Sequence, residues 1–192
     1  MLEEKAKTIN PSSLYSIGHG NKEIEKFIHE LKQFDIEYLV DVRTTPFSKW
    51  NPQFNKNDLK FLLEENDIGY IFLGDKIGGL PSDKSCYTEE GKIDYELVRE
   101  KNFFKEGLER LVMANSKQIK IATMCSETNP EECHRSKLIG KELLLKGIDT
   151  NHILNQDELK SQSKINTALF GLFAESDEFH LSSKKSYISD EN

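Results

Sequence analysis

The sequence predicts an α/β protein built on a single doubly wound, mainly parallel sheet with helices on both faces. Three observations lead there. Short apolar runs alternate with longer stretches whose apolar residues recur every three or four positions, the pattern of strands alternating with amphipathic helices. The run at residues 36–42 is mostly apolar and is interrupted only by Glu37 and Asp41, as suits a strand buried on both faces. Glycines close several of the units, and right-handed crossovers between parallel strands then wind the helices onto the two faces.

In chain order, residues 1–13 are polar, contain Pro11-Ser12-Ser13 and read as a lead-in. A strand at residues 14–17 stops at Gly18-His19-Gly20. Asn21 is placed to cap a helix, and Ile24, Phe27, Ile28 and Leu31 give that helix one apolar stripe. The strand at 36–42 leads into a polar loop over 43–57, a short helix over 58–66 and a strand over 69–73. Residues 74–91 hold Gly78-Gly79, Pro81 and Gly91, a loop of a length that is usually functional or mobile. A helix over 95–114 turns Leu97, Phe104, Leu108, Leu111 and Val112 inward. A strand over 118–124, a helix over 133–146 closed by Gly147 and a strand over 150–154 complete the alternation. A short helix is expected near 166–173. The organisation is thus a single α/β domain over residues 14–174, followed by a polar, disordered tail over 175–192.

The 192 residues are enough for one domain with a real core. The chain has 33 acidic and 26 basic side chains and a formal net charge of -7. That balance disfavours general attraction to a phosphate backbone, while leaving room for a local basic cleft. No apolar run approaches the ~20 residues that cross a membrane, and the polar N-terminus is unlike a secretory signal. A soluble, cytoplasmic protein is expected. The three cysteines, Cys86, Cys125 and Cys133, are an odd set for a disulfide framework, and Cys125 and Cys133 are expected as thiols.

In such sheets ligands bind outside the carboxyl ends of the strands. Strand ends in this sequence carry His19, then Asp41-Val42-Arg43, then Met124-Cys125-Ser126-Glu127, with Cys133-His134-Arg135-Ser136 at the next helix start. Many of the chemically capable residues outside the helices fall at one edge. His19 lies between two glycines and suits a general base, a metal ligand or an orienting donor, against the plainer reading of a histidine satisfied by a carbonyl. Asp41 needs a partner if buried. Arg43 is either that partner or a fork for an anion.

The segment from Cys125 to Ser136 supports three functional readings. The start of a helix offers free N–H groups and the positive dipole end, so Cys133, His134, Arg135 and Ser136 form a cradle for a phosphate or carboxylate. The same dipole lowers the pKa of a cysteine and favours a nucleophilic or redox thiol. In the third reading Cys125, Cys133, His134 and His19 hold a metal. The seven residues between the cysteines differ from the usual short zinc spacing, so no bound metal and no cofactor are expected. A structural reading also stands, in which a thiol packs as a small apolar group and Glu127 pairs with Arg135. Gly78 and Gly79 are candidates for a ligand contact or a lid hinge, with an ordinary turn as the alternative. Trp50 and Phe54 either stack on a planar ligand or pin their loop to the core.

The blocks Ser16-Ile-Gly-His-Gly-Asn21, Leu39-Val-Asp-Val-Arg43 with Pro46 and Ser48, Asn51-Pro-Gln-Phe54, Leu73-Gly-Asp-Lys-Ile-Gly78-Gly79, Met124-Cys-Ser-Glu127, Cys133-His-Arg-Ser136 and His152-Ile153 resemble the successive signatures of domain-of-unknown-function family 488. The resemblance covers about residues 14–155. It implies that His19, Asp41, Arg43, Gly78, Gly79, Cys125, Glu127, Cys133, His134 and Arg135 occupy the family's characteristic positions. Gly20 stands where that family commonly has serine, and Glu131 where it often has an aromatic residue. The family name carries no activity. The Asp-Val-Arg strand end also resembles rhodanese-like domains, but the loop after Cys125 lacks their glycine and arginine.

The leading expectation is an enzyme that binds a small or nucleotide-like anionic substrate at the carboxyl edge. Arg43, Arg135 and the Cys133 helix end would hold the anion, Gly78 and Gly79 would contact it, and His19 or Glu127 would move a proton, with Cys125 as a further catalytic candidate. The alternative is a ligand-sensing or nucleic-acid-associated binding module without turnover. A nucleic-acid partner calls for a basic, aromatic groove around Arg43, Lys49, Trp50 and Phe54. Thiol or sulfur-transfer chemistry is the lesser alternative. The oligomeric state is not legible.

Overall fold

The computed structural model describes residues 12–173 and Ser182. The expected lead-in and tail fall almost wholly outside those residues. Six strands form one sheet in the order β3-β2-β4-β1-β5-β6. They are β1 (Leu14–Gly18), β2 (Tyr38–Asp41), β3 (Gly69–Phe72), β4 (Ile121–Cys125), β5 (Asn151–Asn155) and β6 (Glu158–Ser161). All neighbours are parallel except β5 and β6.

Helix α1 (Ile24–Gln33) links β1 to β2, and α2 (Lys56–Glu64) links β2 to β3. The return to β4 runs through α3 (Gly74–Ile77), α4 (Tyr95–Glu100) and α5 (Asn102–Ser116). A π-helical turn (Arg135–Gly140) continues into α6 (Lys141–Leu145) before β5, and α7 (Gln162–Phe173) follows β6. Alternate strand residues face two separate cores, as the two-residue period of a strand requires. Leu39 and Met124 pack with Phe27 and Leu31 of α1 and Leu59 and Leu63 of α2. Val40 and Ile121 pack with Val98 of α4, Leu108 and Leu111 of α5 and Leu143 of α6. The doubly wound arrangement is therefore present, with a helical layer on each face.

Several details differ from the expectation. Asn21 does not cap α1. The helix begins at Ile24, and the residue before it, Glu23, makes no capping side-chain bond. The long helix over 95–114 is two helices broken at Lys101, whose extended backbone (ψ 140°) separates α4 from α5. Asp94 caps α4 by accepting from the Glu96 and Leu97 amides. Leu97, expected inside, is 44% exposed on the re-aimed α4. The loop over 74–91 contains α3 and a short 3-10 turn (Lys84–Cys86). Strand β6 was not anticipated, because Glu158-Leu-Lys-Ser161 is a polar edge strand with no apolar run.

Strands β2 and β4 are neighbours, and the chain leaves β2 towards β3 on one side and β4 towards β5 on the other. Connections that diverge from adjacent strands leave a crevice at their carboxyl ends. The Asp41–Arg43 end of β2 and Cys125 at the end of β4 lie there, with His19 beside Cys125 through the bond from its backbone N–H to the Cys125 carbonyl.

Candidate functional site

Two linked clusters of buried polar side chains occupy that edge. The first is built on the end of β2. Asp41 is fully buried and Arg43 nearly so. Arg43 grips Asp41 through both arms of its guanidinium, with Nε to Oδ1 at 2.9 Å and Nη2 to Oδ2 at 2.6 Å. Its Nη2 also donates to the Phe54 carbonyl at 2.7 Å. Tyr70 donates its hydroxyl to Asp41 at 2.8 Å. Burial, then the neighbouring Asp41 charge, pushes the Tyr70 hydroxyl pKa far upward. The remaining nitrogen, Nη1, faces His19 Nε2 at 3.4 Å. Arg43 thus takes the structural option, with its fork closed on Asp41.

His19 stacks on Phe54 with ring centroids 4.3 Å apart. A carbonyl only accepts, so its Nδ1 donates to the Gly20 carbonyl at 2.8 Å. Nε2 is then the bare nitrogen. Burial is the main cause that lowers the His19 pKa from 6.5 to about 4, and the nearby Arg43 charge adds to it. His19 is a neutral ring at pH 7.

The second cluster joins the end of β4 to the π-helical turn. Cys125 Sγ lies 2.6 Å from Glu127 Oε2. Cys133 Sγ lies 3.6 Å from the same oxygen and 3.6 Å from His134 Nδ1. His134 Nε2 donates to the Val42 carbonyl at 3.2 Å, which fixes the ring and turns Nδ1 to the sulfurs. Arg135 is only 1% exposed. It reaches the Glu127 backbone carbonyl at 2.6 Å and Ser16 Oγ at 3.1 Å. Its carboxylate neighbour is not its partner: the Glu127 side chain turns to the cysteines instead.

The expected anion cradle is occupied by the chain itself. Cys133 Sγ accepts from the Arg135 amide at 3.5 Å and from Arg135 Nε at 3.3 Å. The Ser136 and Lys137 amides bond to the Cys133 carbonyl. The helix-end donors converge on one cysteine. Burial alone would raise its pKa, but the hydrogen bond from Cys125 and the His134 and Arg135 charges outweigh it, and the thiol ends well below 9.0. Cys125 moves the opposite way, held protonated by its bond to Cys133, by burial and by the Cys133 and Glu127 charges. Burial pulls the His134 pKa down, but the adjacent Cys133 charge more than reverses this, leaving it above 6.5. The two shifts run in the directions that favour a thiolate–imidazolium pair.

Other expected residues fall as follows. Gly79 packs against His134, where an added Cβ would come within 2.9 Å of Nδ1. Gly79 therefore admits the ring. Gly78 lies beside the Gly74 carbonyl and Thr44, which is a turn role. Ser136 is buried, and its hydroxyl has no hydrogen-bond partner among the described residues. Trp50 is 91% exposed while Phe54 is fully buried, so only Phe54 pins the loop.

Sequence reasoning assigned no role to Ser16, Tyr70 or Gln162 and used His152 only as part of a resemblance. Ser16 Oγ lies 2.6 Å from His152 Nδ1, and His152 Nε2 lies 2.8 Å from Gln162 Oε1. This fully buried chain anchors Arg135 from behind. Burial, then the Arg135 charge, lowers His152 to about 4. His19 and His152 together make the fold acid-sensitive. Above pH 6.5 neither the folded nor the unfolded chain protonates them. As pH falls from 6.5 towards 4 the unfolded chain gains protons that the folded chain refuses, so stability falls. A displacement of this size in one histidine is worth on the order of 3 kcal/mol. Denaturant unfolding across pH 7 to 4 should show a loss that begins above pH 5, before carboxylates titrate. Constant stability over pH 7 to 5 would refute it.

No helix among the described residues is long and apolar enough to cross a membrane. Searches of curated proteins and of solved structures give no match. A family model does match, over residues 23–141, narrower than the 14–155 span of the motifs and leaving His19 and His152 outside it. Those matched residues make up more than half of the chain and carry the Asp41–Arg43 pair, both site cysteines, His134 and Arg135, and the chain belongs to the family described as domain of unknown function DUF488.

Proposed function

We propose that this chain is an enzyme whose reacting group is the Cys133 sulfur, acting on a small substrate taken up at the carboxyl edge of the sheet. One observation carries the reading. The Cys133 sulfur receives two N–H groups of Arg135 and lies 3.6 Å from His134 Nδ1, while Val42 holds the other ring nitrogen. Nucleophile, proton partner and orienting group are in contact, as activated cysteines require. In the reaction the thiolate electron pair forms a bond to an electrophilic centre, the bond to the leaving group breaks, and the His134 proton goes to the departing group. Arg135 holds the thiolate before attack. Glu127 is exposed and lies at the mouth of the cluster. His19 serves as a positioning residue beside Arg43.

The small or nucleotide-like anion expected from the sequence has less support as the substrate, because both guanidinium groups are engaged within the protein. A nucleic-acid partner has less still, since Arg43 and Phe54 are interior and only Lys49 and Trp50 of the expected groove are exposed. A cytoplasmic setting fits three free cysteines. The test is competition among those cysteines. When the folded, metal-free chain meets limiting iodoacetamide at neutral pH, peptide mapping should find Cys133 alkylated ahead of Cys86 and Cys125. Modification of the other two with Cys133 untouched would sink the proposal.

A further inference from the structure

We infer that Cys125, Cys133, His134 and Glu127 form a binding site for one thiophilic divalent cation of the zinc class. This inference goes beyond the thiol reading and uses the same cluster. The two Sγ atoms and a His134 ring nitrogen all lie within 4.8 Å of one another. Bonds of about 2.0–2.3 Å to a tetrahedral zinc ion place its donor atoms roughly 3.3–3.8 Å apart. The observed separations are 3.6 Å from Cys133 Sγ to His134 Nδ1, 3.9 Å from Cys125 Sγ to the same nitrogen and 3.6 Å from Cys133 Sγ to Glu127 Oε2. The Cys125–Glu127 contact at 2.6 Å has to open, and the Cys125–His134 separation has to close slightly.

Three further features fit a metal. The bond from His134 Nε2 to the Val42 carbonyl selects the tautomer whose free nitrogen is Nδ1, the usual outer support of a ligating histidine. Two thiolates and an imidazole favour zinc over hard cations. Both thiolates and the carboxylate carry three negative charges against two on the ion, and the Arg135 N–H groups on Cys133 offset the remainder. Glu127, exposed to solvent, gives the entry path.

The spacing of the two cysteines along the chain does not keep them apart in the fold. The seven residues between the cysteines turn back through a 3-10 segment (Pro130–Glu132), capped by Asn129, which returns Cys133 beside Cys125. Zinc entry displaces the thiol proton of Cys125, and any proton on His134 Nδ1, to solvent. It also ties up the Cys133 electron pair, so occupancy silences the thiol.

The probe is cobalt(II), added to the full chain after chelation and reduction. One equivalent should give a thiolate-to-cobalt charge-transfer band and the intense visible bands of tetrahedral cobalt, and zinc should abolish both. Cys125 and Cys133 should become protected from alkylation, with Cys86 unaffected. Cys125→Ser and His134→Ala should each weaken binding on the order of a hundredfold or more, with circular dichroism reporting whether they fold. No charge-transfer band in the wild type overturns the site, as does an octahedral spectrum. If cobalt fails to bind but Cys133 is still alkylated first, the metal site falls and the thiol reading survives. If cobalt binds but Cys133 in the metal-free chain is inert, the thiol reading falls and the metal site survives.

Discussion

Arg135→Ala should lower the stability of the fold by about 3–5 kcal/mol, the cost of removing one partner from a buried charge pair. For a domain of this size that is a melting-temperature drop on the order of 10 °C. Arg135 is the largest of the fully buried side chains. Its loss strips donors from Ser16, from the Glu127 carbonyl and from Cys133 Sγ at once. The Cys133 sulfur keeps His134 at 3.6 Å but loses its other cationic neighbour, and a cavity opens beside it. Arg135→Lys keeps a charge but cannot reach three acceptors with a planar fork, so it should recover only part of the loss. Thermal unfolding of both variants checks this. An Arg135→Ala chain as stable as the wild type would show that the guanidinium is not held as described.

Asp41→Asn should cost a similar 3–5 kcal/mol, through a different strand end. Asparagine keeps the shape but offers one acceptor oxygen where Asp41 serves Arg43 Nε, Arg43 Nη2, the Arg43 amide and Tyr70. Arg43 would be left as a buried, unpaired cation, and its grip on the Phe54 carbonyl would loosen. His19, stacked on Phe54, should lose its fixed position as well. Denaturant unfolding measures the first effect, and the histidine ring resonances in a proton spectrum report the second. A loss below about 1 kcal/mol would mean that the pair behaves as a surface ion pair.

The fold was legible where a backbone preference is written locally. Leu14–Gly18, Ile24–Gln33 and Ile121–Cys125 carry their period in adjacent residues, and Gly147 marks a helix end. The Lys101 break and β6 were not, because each depends on what the segment packs against. Placing His19, Arg43, Cys125 and His134 at one edge followed from the strand-end rule alone. Where their polar atoms point did not. Whether Arg43 closes on Asp41, and whether Arg135 meets Ser16 across 119 positions, is decided by side-chain geometry between distant segments. The closeness of Cys125 and Cys133 was hidden for the same reason, since the path between two residues says little once a turn folds it back.

On the thiol reading the anion at the helix start is the Cys133 thiolate itself. Ultraviolet thiolate absorbance tests it most directly, measured on metal-free protein at pH 7 as wild type minus Cys133→Ser. The structure predicts a difference of about one thiolate per chain, because Cys133 lies well below 9.0 while Cys125 stays protonated. No difference at pH 7, with absorbance appearing only near the ordinary thiol range, would contradict it.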